Sequence, residues 1–309
     1  MIIVNIIGGL GNQMFQCALA IALKKENPQE EIYIDTSHFN YIYLKKIGPI
    51  NMHNGYEIED LFKNFSLPKA TGKQISKVAY YIPNFILSRI VGKRLPTKKT
   101  MYVEKRNFEY YDEVFHREGD TYFDGYWQCA KYFEKYKQEV IDAFAFPERN
   151  AYSKKMEVEI TNCESVAIHV RRGDFLKDPE FGGICGEGYF AEAIKQLLQD
   201  QKKYKFFIFS NDINWCKEKI APMVGGNQIV YMEGNKGKES VFDMYLMSKC
   251  KHMIISNSSF SWWGAFFNTQ RGKVYAPRPW VDRDIETDNY GKDWILIDSH
   301  DREYQQFKF

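Results

Sequence analysis

MIIVNIIGGLGNQMFQCALAIALKKENPQEEIYID, residues 1–35, reads as strand, tight turn, helix, strand. Ile2 to Ile7 is an apolar, β-branched run broken only by Asn5, the pattern of a strand buried on both faces. Gly8, Gly9 and Gly11 make the turn, and Met14 to Lys25, rich in Ala and Leu, predicts a helix. Ile32 to Asp35 is the next strand. This succession opens a parallel α/β domain. The loop invites comparison with the dinucleotide fingerprint G-x-G-x-x-G. Gly9 and Gly11 fill its first two positions, and Asp35 stands near the place of a ribose-binding acid. An NAD-dependent oxidoreductase is therefore one reading. Against it, Met14 replaces the third glycine, which normally allows close helix–sheet packing. Asn12 and Gln13 offer both donors and acceptors, which suits sugar hydroxyls.

Outward from this start, Tyr41 to Phe115 has poor periodicity and is interrupted by Pro and Gly. Within it, Lys73 to Arg106 carries nine basic residues among aromatic and aliphatic ones. A surface for anionic lipid or a polymeric acceptor is one reading. A solvated helical face is the other, and Pro83, which breaks any long amphipathic helix, favours it. Tyr122 to Trp127 reads as a strand and Tyr132 to Phe144 as a helix ending before Pro147. Residues 147–154 are polar and hold the domain boundary, which gives domains 1–150 and 151–309. Beyond it the α/β rhythm restarts. Strands are expected at 166–170, 206–210, 228–232 and 252–256, with a short last strand at 274–276. Helices are expected at 189–199, 213–220, 240–248 and 260–267. The fold class is α/β, with two parallel sheets.

Composition narrows the partners. In 309 residues, a net charge of +2 excludes a strongly basic nucleic-acid binder and an acidic disordered chain. The 44% hydrophobic content fills two cores, and the 16% aromatic content suits either those cores or a sugar cleft. Six cysteines stand far apart, without C-x-x-C or zinc spacing, and read as reduced, buried thiols of a cytosolic protein. Residues 1–7 lack the basic leader of a signal peptide, and no stretch of 18 apolar residues occurs. The expected location is the cytoplasm, with peripheral contact at the inner membrane as the alternative.

Three segments at strand ends carry chemistry. His169-Val170-Arg171-Arg172-Gly173-Asp174 follows the first strand of the second domain. Ligands of open parallel sheets bind beyond the carboxyl ends of strands. Arg grips phosphate oxygens bidentately, and a fixed guanidinium stabilises a departing diphosphate as a metal otherwise would. The competing reading is one Arg paired with Asp174 on the surface. Ser256-Asn257-Ser258-Ser259-Phe260-Ser261-Trp262-Trp263-Gly264 joins a strand to a helix whose amino end would suit phosphate, or is simply capped by Ser. In Phe209-Ser210-Asn211-Asp212, Asp212 has the chemistry to accept from the ring and exocyclic N–H groups of guanine. Helix capping by Asn211 or Asp212 is the alternative. Asp282-Arg283-Asp284 is an Asp-x-Asp pair of the kind that holds Mn²⁺ in metal-dependent glycosyltransferases. Its late place after Pro277 and Pro279, with Arg283 between the acids, argues against metal binding.

Taken in order, GGLGNQMFQ, HVRRGD, FSNDINW and SNSSFSWWGAFFN resemble the soluble bacterial α-1,2-fucosyltransferases of glycosyltransferase family 11. The resemblance covers nearly the whole chain, with little from residues 40–115. It implies a GT-B fold of two facing Rossmann-like domains, an acceptor-side domain 1–150 and a GDP-fucose-binding domain 151–309. It implies transfer of L-fucose from GDP-β-L-fucose to the 2-hydroxyl of a β-galactoside with inversion, with no metal and no cofactor. Arg171 would hold the β-phosphate, with Arg172 beside it. His169 and Asp212 would address the guanosine, and Ser258, Ser259 and Phe260 would approach the diphosphate. Gly9, Asn12 and Gln13 would face the fucose or acceptor. Asp174 is the motif's candidate base, with Glu180 and Glu187 near it in sequence. A catalytically inactive nucleotide-sugar-binding protein is the alternative from the binding class.

Overall fold

The computed structural model describes residues 1–40, 42–44, 48–50, 54–83, 88, 90, 92, 94–283, 285 and 287–299, with side chains for all but 42–44, 48–50 and 174. The chain divides into two compact units between Pro147 and Glu148.

The first unit contains β1 (Ile2–Asn5), β2 (Ile32–Asp35), β3 (Ile42–Leu44), β4 (Gly48–Ile50), β5 (Met101–Val103) and β6 (Thr121–Asp124). Four of them form a parallel sheet in the order β2-β1-β6-β5, and β3 and β4 pair antiparallel. Ile2, Ile3 and Val4 are buried, which contributes roughly 1.5–3 kcal/mol per side chain. The first helix runs Leu10–Glu26, four residues earlier than the Ala/Leu pattern predicts. Gly8 turns the chain at φ +81°, and Gly9 already acts as N-cap. The helix is buried nearly all round, so periodicity marked its start poorly. The helix expected over 132–144 is broken into 3₁₀ turns at Ala130–Tyr132 and Glu134–Tyr136 followed by Lys137–Ala143. Tertiary packing overrides propensity here. Phe133 packs on Phe15 and Tyr132 on Trp127, while the Tyr132 hydroxyl donates to the Glu109 carbonyl and accepts from the Tyr111 N–H.

The second unit contains β7 (Ser165–Val170), β8 (Lys205–Ser210), β9 (Gln228–Tyr231), β10 (His252–Ile254), β11 (Val274–Arg278) and β12 (Ile295–Asp298). They form one parallel sheet in the order β12-β11-β10-β7-β8-β9. The chain builds outward from β7 to β9, then returns and builds from β10 to β12. That is the doubly wound order, and its direction reverses between β7 and β10. β12 adds a sixth strand to the five that the sequence pattern predicts. The polar stretch 147–154 is not all linker. The Asn150 side chain accepts from the Ser153 N–H at 2.8 Å and caps a helix, Ala151–Thr161. Val166, Ile168 and Val170 pack with Tyr189, Phe190, Ile194 and Leu197 from the helix Glu187–Leu198 in the core of this unit. None of the six cysteines forms a disulfide; four are buried and two partly so. Among the described residues no helix is long and apolar enough to cross a membrane.

Candidate active site

The crevice between the carboxyl ends of β7 and β10 brings together two segments that are 87 residues apart. His169, near the end of β7, is 7% exposed, and its Nδ1 lies 2.8 Å from Oγ of the fully buried Ser256. Burial, aided by the nearby Arg171 guanidinium, lowers the His169 pKa to about 3. The imidazole is therefore neutral at physiological pH and orients rather than carrying charge. Linkage gives a consequence. The folded-state pKa lies below the unfolded one, so the unfolded chain takes up the proton first as pH falls from about 6.5. Stability is complete above that pH and is lost toward pH 3, by roughly 2 kcal/mol already at pH 5. His169→Gln is expected to show a shallower fall in urea midpoint between pH 7 and 5 than the wild type. Parallel falls would show that His169 is charged in the folded protein.

The two arginines, equivalent in sequence, are not equivalent in place. Arg172 turns into its own fold. Its guanidinium lies over Trp215, 4.2 Å from the ring centroid, with Nε 3.6 Å from Asp212 Oδ2. The Asn211 amide clasps the Arg172 backbone, donating to its carbonyl and accepting from its N–H at 2.9 Å each. Gly173 follows at φ +71°, where a Cβ would come 3.0 Å from Asn211 Nδ2. Arg172 thus braces the ends of β7 and β8. The Arg171 guanidinium lies 6.0 Å from the Phe175 ring centroid and close enough to His169 to lower its pKa.

Across the crevice, Ser258 caps the helix Ser259–Phe266 and accepts from the Phe260 N–H at 3.4 Å. Phe260 packs against His169 at 5.9 Å between ring centroids. Ser258, Ser259 and Phe260 are partly exposed. The buried Asn257 donates to the carbonyls of Phe181 and Trp280, which fixes the loop after Arg172 against the end of the domain.

Asp212 is committed within the fold. One oxygen caps the turn at Trp215 N, 3.1 Å away, and the other faces Arg172. The capping alternative therefore describes its contacts. Beyond it, at the carboxyl ends of β8 and β9, lies a cavity of about 430 Å³ lined by Asp212, Asn214, Lys217, Glu233, Asn235 and Asp243, among others. Asp243, which the sequence reading missed, accepts from Asn235 Nδ2 at 2.8 Å, and burial pushes its pKa up to about 7. It sits in the first turn of the helix Val241–Lys249, where an acid reads as an ordinary helix-start residue, so nothing local distinguished it.

Of the candidate bases, Glu180 is ion-paired to Arg283, and Glu187 pairs with Lys219 at 3.0 Å. The Asp174 side chain and Asp284 lie outside the described residues. Among the described residues no three His, Cys, Asp or Glu side chains are grouped to hold a metal.

In the first unit, Gln13 is 0% exposed. Its Nε2 donates to the carbonyls of Gly8 and Gly55, and its Oε1 accepts from the Glu57 N–H. This corrects the expectation that it meets a sugar, because its amide is already satisfied internally. Asn12 is partly exposed and accepts from Gln128 Nε2 at 2.9 Å, while Gly9 is the N-cap of the first helix.

Residues 1–298 match the profile of glycosyl transferase family 11. An alpha-1,2-colitosyltransferase of Escherichia coli is 32% identical over 306 residues, covering 96% of this chain and 99% of the relative. The O-antigen biosynthesis glycosyltransferase WbnK of Escherichia coli is 30% identical over 306 residues, covering 94% and 98%. Galactoside alpha-(1,2)-fucosyltransferase 2 of Oryctolagus cuniculus is 24% identical over 276 residues, 85% of this chain and 66% of the relative. Among solved structures, a variant of Arabidopsis thaliana FUT1 in complex with GDP aligns with a TM-score of 0.50 at 13% identity, covering 92% of this chain and 72% of that one. That likeness concerns the fold, which is of the GT-B type with two parallel-sheet domains. Matched by the family profile over residues 1–298 and by a relative 32% identical over nearly its whole length, this chain belongs to glycosyl transferase family 11 and is a glycosyltransferase.

Proposed function

We propose that the enzyme transfers L-fucose from GDP-β-L-fucose to the 2-hydroxyl of a β-galactoside, giving an α-linked product by inversion and using no metal. The observation that carries this is the β7–β10 crevice, where a neutral His169 next to Arg171 bonds Ser256 and packs on Phe260 of the capped helix Ser259–Phe266. In doubly wound sheets the diphosphate sits at the switch point and the nucleoside extends over the first two or three strands. Applied here, the diphosphate lies against Arg171, Ser258 and Ser259. The base then enters the cavity beyond β8, beside Asp243.

The acceptor hydroxyl oxygen attacks the anomeric carbon opposite GDP, and in a loose, oxocarbenium-like transition state that needs little base assistance its proton passes to solvent water as the new C1–O bond forms. The C1–O bond to the β-phosphate breaks, its electron pair goes to the phosphate oxygen, and Arg171 receives that charge. His169, being neutral, fixes Ser256 and supplies no countercharge.

A second donor deserves testing because a relative at 32% identity is named a colitosyltransferase, whereas the fucosyltransferase relative is 24% identical. Colitose is fucose without its 3-hydroxyl. The experiment offers GDP-L-fucose and GDP-colitose against lactose, N-acetyllactosamine and lacto-N-biose, with products read by NMR. The expected result is an α-1,2 linkage formed equally well in EDTA. No product with either donor would overturn the donor assignment, and loss of activity in EDTA restored by Mn²⁺ would reinstate a metal site.

A further inference from the structure

Arg171 stands just beyond the end of β7, partly exposed, with its guanidinium at the tip of a long side chain. Fixing such a chain costs conformational freedom. A donor that must reorganise during the reaction also stabilises developing charge less than one already in place. Whatever holds the guanidinium before the ligand arrives therefore contributes to the rate.

The loop between β7 and the helix Glu187–Leu198 supplies such a hold. The Phe175 ring centroid lies 6.0 Å from the Arg171 guanidinium, at the outer reach of a cation–π contact. Phe175 in turn stacks on Phe181, with ring centroids 5.5 Å and planes 27° apart. The two rings meet because the loop doubles back at Asp178. The Asp178 Oδ1 accepts from the N–H groups of Glu180 and Phe181 at 2.8 and 3.2 Å, and its carbonyl accepts from the Gly182 N–H at 2.8 Å. The turn is tight enough that a Cβ at Gly182 would come 2.6 Å from the Leu176 carbonyl oxygen. Two distant segments fasten it. Asn257, 3% exposed, donates to the Phe181 carbonyl at 3.1 Å. The Asp282 N–H donates to the Glu180 carbonyl at 2.8 Å, and the Glu180 carboxylate is ion-paired to Arg283. Asn257 directly precedes the helix-capping Ser258, so one backbone segment fixes both the capped helix and the ring stack beside Arg171. Rings that only filled a core would be buried, whereas Phe175 and Phe181 are both partly exposed.

We propose that Phe175 and Phe181 are positioning residues: their stacked rings, held by Asn257, orient the Arg171 guanidinium for the departing diphosphate. The inference rests on the reading of Arg171 as the group that receives the leaving charge, but GDP binding tests it without any transfer. Calorimetry with GDP, and transfer from GDP-fucose to lactose, would be measured for wild type, Phe175→Leu, Phe175→Tyr, Phe181→Ala, Arg171→Ala and the double variant Arg171→Ala/Phe175→Leu. Phe175→Leu is expected to weaken GDP about fivefold and lower kcat about 30-fold, with the lactose KM within about twofold. Its thermal midpoint is expected within about 2 °C of the wild type, because the ring is partly exposed. Phe175→Tyr keeps the ring face and is expected to recover most of the loss, and Phe181→Ala is expected to act in the same direction by less. In the Arg171→Ala background, Phe175→Leu is expected to cost nothing more, because the guanidinium it orients is gone. Equal losses from Phe175→Leu in both backgrounds would overturn the proposal. So would GDP affinity and kcat unchanged in Phe175→Leu, or a loss that follows the thermal midpoint and that tyrosine does not restore. GDP affinity and rate intact in Arg171→Ala would remove both the Arg171 reading and this one. Losses of GDP affinity coupled through Arg171, in a protein that transfers no sugar, would uphold the positioning and defeat the fucosyl-transfer reading alone.

Discussion

Arg171→Ala is expected to reduce kcat about 1,000-fold, with a much smaller effect on folding stability. The leaving GDP gains charge as the C1–O bond breaks, and a preorganised guanidinium in a crevice meets that charge without reorganising. Loss of one such donor costs roughly 10²–10³ in rate, and a bidentate, charge-assisted contact lies at the upper end. Arg171→Lys is expected to recover little, since an ammonium cannot reproduce the fork. Arg172→Ala provides the contrast. It removes the contact over Trp215 and the pairing with Asp212, so it is expected to lower the unfolding midpoint and to reduce kcat far less. Single-turnover kinetics with GDP-fucose, beside thermal unfolding of each variant, separate the two. A loss below 10-fold in Arg171→Ala, or a larger kinetic loss in Arg172→Ala, would reverse the assignment.

Asp243→Asn is expected to weaken GDP about 100-fold and to abolish the pH dependence of GDP binding. A carboxylate accepting from the N1–H and 2-amino groups of guanine makes charge-assisted bonds, and about 1.4 kcal/mol corresponds to each tenfold in affinity. Burial holds the Asp243 carboxyl at about 7 in the free enzyme. The ionised form is the acceptor, so below pH 7 binding must first release a proton. Affinity is then expected to fall about tenfold per pH unit between pH 7 and 5. Inosine diphosphate, without the 2-amino group, is expected to bind the wild type more weakly than GDP and the variant equally. Asp212→Asn is expected to cost stability through the weakened cap at Trp215 while keeping the preference for guanine. Calorimetric titration at several pH values decides it. A flat pH profile in the wild type, or guanine preference lost only in Asp212→Asn, would sink the assignment of the base cavity to Asp243.

These two expectations show where local pattern stops being informative. Arg171 and Arg172 are neighbours of the same type, and only their contacts, Phe175 and His169 for the first and Trp215 and Asp212 for the second, separate them. Asp212 was picked out because it stands at a strand end. Nothing local marks Asp243, because an acid in a first helical turn is ordinary, and only the packing around it shows the burial that raises its pKa. Gln13 looked like a sugar ligand because of its donors and acceptors. Those same groups satisfy Gly8, Gly55 and Glu57, a commitment that no spacing along the chain reveals.

By itself the amino-acid sequence determined the alternation of strand and helix, because that depends on hydrophobic period, glycine turns and caps within a few residues of each other. It also determined which motifs stand at strand ends, and through them the family. The tertiary structure alone decided the doubly wound order of the second sheet, the meeting of His169 with Ser256 and that of Phe181 with Asn257. It also decided which acids are buried and which arginine is held over Trp215. Each of those is a contact across tens of residues, set by how the elements pack, and packing responds to the whole core rather than to any one segment.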